Sequence, residues 1–236
     1  MGLVVDSYRF AAAASFTDPT DVAGLEVWLD ATTGTTGDDP ITAWADQSGN
    51  GNNAVITAGS VNPQFNPSYQ INSSGVLFAN NCSLYCPIAT VVSDMTIFAV
   101  FKTLFGTYTG QIFDIRDNSD TNPLVDDTNR GGFGMRRRNN AGTLVSATNA
   151  TGNGNANIYR GVVDASSTDT FDYWLNAVLK SSSPAAAGTT TGLDRFYVGK
   201  GWTGVLGEIL LYNSVLGSTD INNIEDYLAA KWGITL

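Results

Sequence analysis

Hydrophobic and polar positions alternate along this chain in short runs, and the runs are separated by Gly, Asn, Asp and Ser. Such punctuation marks turns between strands. The pattern predicts strands near residues 26–30, 41–45, 75–79, 95–103, 110–116, 131–138, 143–148, 156–164, 171–180, 194–199 and 205–213. Two runs, MTIFAVFKT at 95–103 and VLGEILLYN at 205–213, are almost wholly apolar. They read as strands buried on both faces. Helical spacing appears once, at the end. Ile221, Ile224, Leu228 and Trp232 share a helix face, Ser218 or Thr219 is placed to cap it, Asp220 sits in the first turn, and Gly233 stops it. Many short strands with one amphipathic helix imply an all-β fold, a two-sheet antiparallel sandwich closed by a C-terminal helix.

Composition supports this picture. Charged residues are 14% of the 236, hydrophobic residues 43%, and glycine contributes 25 positions. That is a turn-rich, β-rich chain with enough apolar surface for a large core. The net charge of −10 argues against nucleic acid or an anionic membrane as a partner. No run of 18 apolar residues is present to span a bilayer.

The chemistry is narrowed by what is missing. The chain has no His, which removes Ser-His-Asp and Cys-His catalysis and His-ligated metals. Glu occurs only at 26, 208 and 225, and no Glu-x-Asp-x-x-Glu strand exists to supply paired catalytic carboxylates. Asp114 and Asp117 are three apart, as are Asp169 and Asp172, so each pair falls on opposite faces of a strand. Cys82 and Cys86 are compatible with one short disulfide or with two free thiols.

Residues 1–20 differ from the rest. Leu3, Val4, Val5, Tyr8 and Phe10 precede four alanines and a boundary at Asp18-Pro19. The segment reads as an apolar arm ahead of a domain at 21–236. Two fates are open: packing back on its own module, or assembly onto a neighbour by adding a strand or filling a groove. The start lacks the basic n-region and unbroken apolar core of a secretion signal.

Three segments carry a resemblance: GLEVWLDA at 24–31, ITAWADQSGNGNNA at 41–54, and 204–233 with GEILLYN and YLAAKWG. Together they resemble the laminin-G-like branch of the concanavalin A-like lectin/glucanase superfamily. The resemblance implies a jelly roll but no particular activity, because that superfamily holds lectins, hydrolases, lyases and adhesion modules. The arm, with DSYRF at 6–10, is similar to those of tailed-bacteriophage virion proteins. It implies a non-catalytic virion component made in the host cytoplasm, decorating or cementing the capsid with weak glycan or host-surface adhesion. Its partners would be other virion proteins and copies of itself. The alternatives are a tail receptor-binding protein and, in another class, a polysaccharide hydrolase or lyase.

Candidate site residues follow. The resemblance implies calcium near Asp46, Asn50 and Asn52, with a carboxylate from the penultimate strand, here Glu208; the loop is rich in the oxygen donors that calcium takes. The competing reading is a tight loop in which Asp and Asn bond their own backbone. Arg136 and Arg138 share a strand face and could grip carboxylates or phosphates, or be balanced by Asp126 and Asp127. Trp202, set among glycines, is the best candidate for an exposed, ligand-stacking aromatic; packing beneath its loop is the alternative.

Overall fold

The computed structural model describes residues 15–36, 40–79, 81–91, 94–104, 110–117, 124–127, 133–150, 154–166, 170–184 and 191–236. The arm residues Leu3, Val4, Val5, Tyr8 and Phe10 lie outside the described residues.

The strands, in chain order, are β1 (Leu25–Asp30), β2 (Thr35–Thr36), β3 (Ala43–Trp44), β4 (Ala54–Ile56), β5 (Val76–Phe78), β6 (Leu84–Val91), β7 (Met95–Thr103), β8 (Phe113–Arg116), β9 (Leu124–Asp126), β10 (Phe133–Arg138), β11 (Leu144–Ala150), β12 (Ala156–Asp164), β13 (Thr170–Leu175), β14 (Val178–Pro184), β15 (Leu193–Val198) and β16 (Gly204–Tyr212). Helix α1 (Ser218–Trp232) follows. They form two antiparallel sheets. One has seven strands, in the order β1-β16-β7-β12-β13-β14 with β5 also paired to β16. The other has nine, in the order β11-β10-β9-β8-β15-β6-β4-β3-β2. The architecture is the expected two-sheet jelly-roll sandwich with one C-terminal helix.

The inner faces meet in an apolar core rich in aromatics. Phe113 of the nine-stranded sheet lies 5.6 Å, ring to ring, from Tyr159 of the seven-stranded sheet, and Tyr159 stacks on Tyr173 at 6.0 Å. The outer face of the seven-stranded sheet is covered in turn by α1. This explains why β7 and β16 are apolar at nearly every position rather than at alternate ones. Ile224, Leu228 and Trp232 are buried against the sheet, and Ile221 packs at the edge of that contact. Gly217 is the N-cap, with no side-chain cap bond, so neither Ser218 nor Thr219 plays that part. Gly233 ends the helix in the left-handed conformation, as expected.

Some elements differ from the sequence reading. The run 171–180 is two strands, β13 and β14, joined by a tight turn at Asn176-Ala177, both with positive φ. The sequence reading does not include strands β2, β4, β6 and β9. β6 contains Pro87, which argues against a central strand. Pro87 is tolerated because β4 pairs only with Tyr85 and Leu84, leaving no ladder bond for Pro87 to donate on that side. The cysteines are free and buried. Cys86 lies within the extended β6 and Cys82 at its entry, so four residues separate them by about 13 Å of strand, beyond the reach of a disulfide.

Candidate functional site: the outer face of the nine-stranded sheet

Strand register places chemically active side chains together on the outer face of the nine-stranded sheet. One transverse row runs Val55, Tyr85, Tyr197, Asp114, Asp126 and Arg136, each the cross-strand partner of the next. The adjacent row runs Pro87, Arg195, Arg116, Leu124 and Arg138. Alternate residues of each strand instead point inward: Cys86, Phe196, Ile115, Val125 and, unusually, Arg137 are buried.

The Tyr85 and Tyr197 rings lie 6.1 Å apart. The Arg195 guanidinium stands over Tyr85 at 5.7 Å and the Lys200 ammonium over Tyr197 at 4.5 Å. Tyr85 is half-buried and Pro87 and Val55 are exposed, whereas Tyr197 is buried behind Tyr85 and Lys200. Next to the tyrosines, Asp114 accepts from Arg116 Nε at 2.6 Å and faces Lys200 Nζ at 3.6 Å. Its second oxygen, Oδ1, is buried and has no hydrogen-bond partner. Asp126 is held by Arg136 in a two-pronged ion pair, with Nε to Oδ1 at 2.9 Å. Burial pushes the Asp126 carboxyl up to about 6 despite that partner, with the charge of Asp114 adding to the rise. Burial drives the neighbouring Asp127 well above the usual carboxylate range.

The expected site residues are distributed as follows. Arg136 and Arg138 do share this face, but Arg136 is committed to Asp126 rather than presented singly to solvent. Trp202 is not exposed: it is fully buried, 6.3 Å from the Phe78 ring and 6.4 Å from Phe101. The glycines that suggest an exposed aromatic serve the packing instead. A Cβ at Gly204 would stand 2.3 Å from the Trp202 ring, so the indole occupies space that any larger residue would take.

The Asp46 loop closes on itself. Asp46 Oδ1 accepts from the backbone N–H groups of Trp28 and Ser48, at 2.9 and 3.0 Å. Oδ2 accepts from the Ser48 hydroxyl at 2.7 Å and from the Asn52 N–H at 2.9 Å. Asn50 and Asn52 donate their amides to the carbonyls of residues 25 and 26. Four donors thus occupy the oxygens that calcium would need, and the donor set does not fit the ion. Glu208 serves elsewhere. It lies on the last strand, β16, accepting from the indoles of Trp28 and Trp232, each at 2.6 Å, and pairing with Lys231 at 2.9 Å. Among the described residues, no cluster of three Cys, Asp or Glu side chains is arranged to hold a metal ion. No helix there is long and apolar enough to cross a membrane.

Sequence reasoning missed Tyr85, Tyr197, Asp114, Lys200 and Arg195 as one group. Period-2 alternation shows that Tyr85 and Pro87, or Arg195 and Tyr197, share a face. It does not say that β6 and β15, more than a hundred residues apart, are neighbours.

No protein-family profile matches the chain, and no curated protein matches it. Solved structures do. Domain 4 of AbnA, an extracellular GH43 arabinanase from Geobacillus stearothermophilus seen in complex with arabinotriose, superposes with a TM-score of 0.65 at 13% identity, over 85% of this chain and 98% of that domain. The binding domain of botulinum neurotoxin DC in complex with SialylT gives 0.66 at 12%, over 92% of this chain and 55% of that one. The binding domain of Paraclostridial Mosquitocidal Protein 1 gives 0.63 at 14%, over 91% and 56%. The chain therefore spans the whole of the arabinanase domain and about half of each toxin binding domain. At these identities the likeness shows a common β-sandwich fold.

Proposed function

We propose that this protein is a non-catalytic glycan-binding sandwich module, and that the outer face of the nine-stranded sheet is its binding surface. The observation that carries the reading is the half-buried Tyr85 ring, backed by the buried Tyr197 and flanked on the same face by Arg195, Lys200 and the Asp114–Arg116 and Asp126–Arg136 pairs. Sugars are bound by apolar ring faces stacked on aromatics and by hydroxyls bridged to fixed carboxylate and guanidinium groups. Here Tyr85 supplies a half-buried ring and Arg116, Arg136 and Arg195 supply half-buried guanidiniums, all on rigid strands; the fully buried carboxylates of Asp114 and Asp126 hold Arg116 and Arg136 in place. That a sandwich of this fold is seen with arabinotriose is consistent with the reading.

The same geometry favours binding over hydrolysis. Asp114 and Asp126 face one another across adjacent strands, as a catalytic pair would. Both are fully buried, however, and each is covered by its cation, so neither reaches a scissile bond. The virion setting is the finer part of the proposal and is supported by the apolar arm: Leu3, Val4, Val5, Tyr8 and Phe10 would attach the module to a particle or to further copies of itself.

A glycan panel followed by calorimetry tests the binding face. Tyr85→Ala should abolish binding of any glycan the wild type retains, with the fold intact by melting temperature. Unchanged binding would move the site elsewhere. Saturable turnover of a polysaccharide, lost on replacing one Asp, would overturn the non-catalytic reading. Deleting residues 2–18 should leave a folded protein that no longer joins particles.

A further inference from the structure

The Lys231 ammonium is enclosed by two carboxylates and three aromatic rings. Its Nζ donates to Asp30 Oδ2 at 2.7 Å and to the Tyr227 hydroxyl at 3.0 Å, and meets Glu208 Oε2 at 2.9 Å. The ring centres of Trp28, Tyr227 and Trp232 lie 5.8, 5.2 and 5.7 Å from it. Glu208 is fully buried and Asp30 is 4% exposed. Asp30 ends β1 and Lys231 lies in the last turn of α1, so one contact joins residues 201 apart along the chain. Removal from water disfavours three charges held so close together.

The three N–H groups of the ammonium are each directed to one neighbour: Asp30, Tyr227 and Glu208. Passing the proton that faces Asp30 to that carboxylate leaves an amine lone pair directed at the Asp30 carboxyl group. Asp30 Oδ1, the other oxygen, accepts from the Thr32 N–H at 2.9 Å and from the Thr32 hydroxyl at 2.8 Å. Two such donors stabilise the charge that develops on a carbonyl oxygen under attack. Glu208 completes the group. The indoles of Trp28 and Trp232 fix its two oxygens, each at 2.6 Å, and burial raises its pKa against the pull of Lys231. It is therefore suited to hold a proton between two steps. Burial lowers the pKa of Lys231, but Glu208 and the hydrogen bonds around the ammonium outweigh it, and the net direction is up. The free amine is scarce and arises by transfer within the cluster, which makes any reaction of it slow.

We propose that Lys231 and Asp30 condense to an intramolecular amide, with Glu208 carrying the proton. The amine attacks Asp30 Cγ, and the N–Cγ bond forms. Glu208 takes a proton from the attacking nitrogen and delivers it to the hydroxyl on Oδ2. The Cγ–Oδ2 bond breaks, water leaves, and Glu208 is again a carboxylate. One ammonium and one carboxylate become one amide and one water, with no oxidant or further reactant needed. The preset geometry supplies the effective concentration that an amine and a carboxylic acid lack in solution. The ion-paired arrangement is the reactant state. The bond ties the first strand of the sandwich to its closing helix, and it is independent of the glycan-binding reading.

The test is the intact mass of the full chain, denatured after prolonged incubation of the folded protein, with tandem mass spectrometry of its tryptic peptides. The wild type is expected to lose one water, to resist trypsin at Lys231, and to give a branched peptide joining the Asp30 and Lys231 segments. Lys231→Arg keeps the charge without the primary amine, and it should hold its full mass, as should Asp30→Ala. Glu208→Gln keeps both reacting groups but should form the bond about a hundredfold more slowly, the loss of a positioned proton carrier. Asp30→Asn should reach the same bonded product by losing ammonia instead of water. Melting temperature checks that each variant folds, and the branched peptide of the wild type decides the matter where one does not. A wild type that keeps its full mass would overturn the proposal. So would a branch at Glu208 instead of Asp30, or a loss of water that persists in Lys231→Arg.

Discussion

The ammonium of Lys231, near the end of α1, sits 2.9 Å from the carboxylate of Glu208 on the last strand. The same ammonium lies 2.7 Å from Asp30 and within 6 Å of the ring centres of Trp28, Tyr227 and Trp232. Glu208 is fully buried, and burial raises its pKa against the pull of Lys231. The pair thus joins the helix to the sheet through a charge that has no access to water. Lys231→Met is expected to destabilise the protein by roughly 3–5 kcal/mol, the cost of leaving a buried charge without its partner. Adding Glu208→Gln should recover part of the loss. Urea denaturation of the two variants decides it; a loss under about 0.5 kcal/mol would show the pair to be a surface contact in energetic terms.

Leu228 is fully buried between helix and sheet. Leu228→Ala should cost about 2–5 kcal/mol, combining lost transfer energy with the cavity left behind. A change near zero in chemical denaturation would mean that the helix does not dock.

The Asp126 carboxyl, raised by burial to about 6, makes stability depend on pH. A folded pKa above the unfolded one means that the folded state binds the proton more tightly. The contribution is fully present below about pH 4 and is lost as pH rises through about 6. The shift of roughly two units corresponds to on the order of 3 kcal/mol. Asp126→Asn cannot titrate, so the difference in unfolding free energy between wild type and variant should shift by that order between pH 4 and pH 7. A constant difference would show that Asp126 ionises normally in the fold.

Asp46 uses both oxygens on donors of its own loop and of β1. Chelator should therefore leave the melting curve unchanged, whereas a calcium site would lose about 2.7 kcal/mol on removing an ion held at a hundredfold excess over its Kd. Asp46→Ala should still destabilise by about 1 kcal/mol, because partly buried donors are left without acceptors. A chelator-sensitive melting temperature would restore the calcium reading.

The β13–β14 turn holds Ala177 at φ 60°, next to Asn176 at φ 49°. Two positive values in succession define a turn that glycine favours at its second position. Ala177→Gly is expected to stabilise the hairpin by up to about 1 kcal/mol, since the left-handed conformation costs alanine about 1–2 kcal/mol and glycine's greater freedom when unfolded returns some of it. A lower melting temperature would show that the alanine is not strained.

Features set by neighbours along the chain were legible in the residues themselves. Unbroken apolar runs announced β7 and β16, and 3.6-residue spacing announced α1. The Asp46 loop could be read either as a cation site or as a self-bonded turn from its Asp, Ser, Asn and Gly. Parity set Arg136 and Arg138 on one face and Arg137 on the other. What required the tertiary structure was the partner across each strand. β9 is three residues long and β6 holds a proline, so neither has a periodic signature; both exist because adjoining strands supply ladder bonds. That pairing places Asp114 against Asp126 and Tyr85 against Tyr197, and creates the proposed binding face. Trp202 illustrates the same limit. Its flanking glycines suggest an exposed aromatic, yet the indole is buried in the space that Gly204 leaves beside Phe78 and Phe101. Local pattern reports what a segment can hide or expose. Register between distant strands decides what each side chain meets, and it is fixed by the joint packing of both sheets rather than by any one segment.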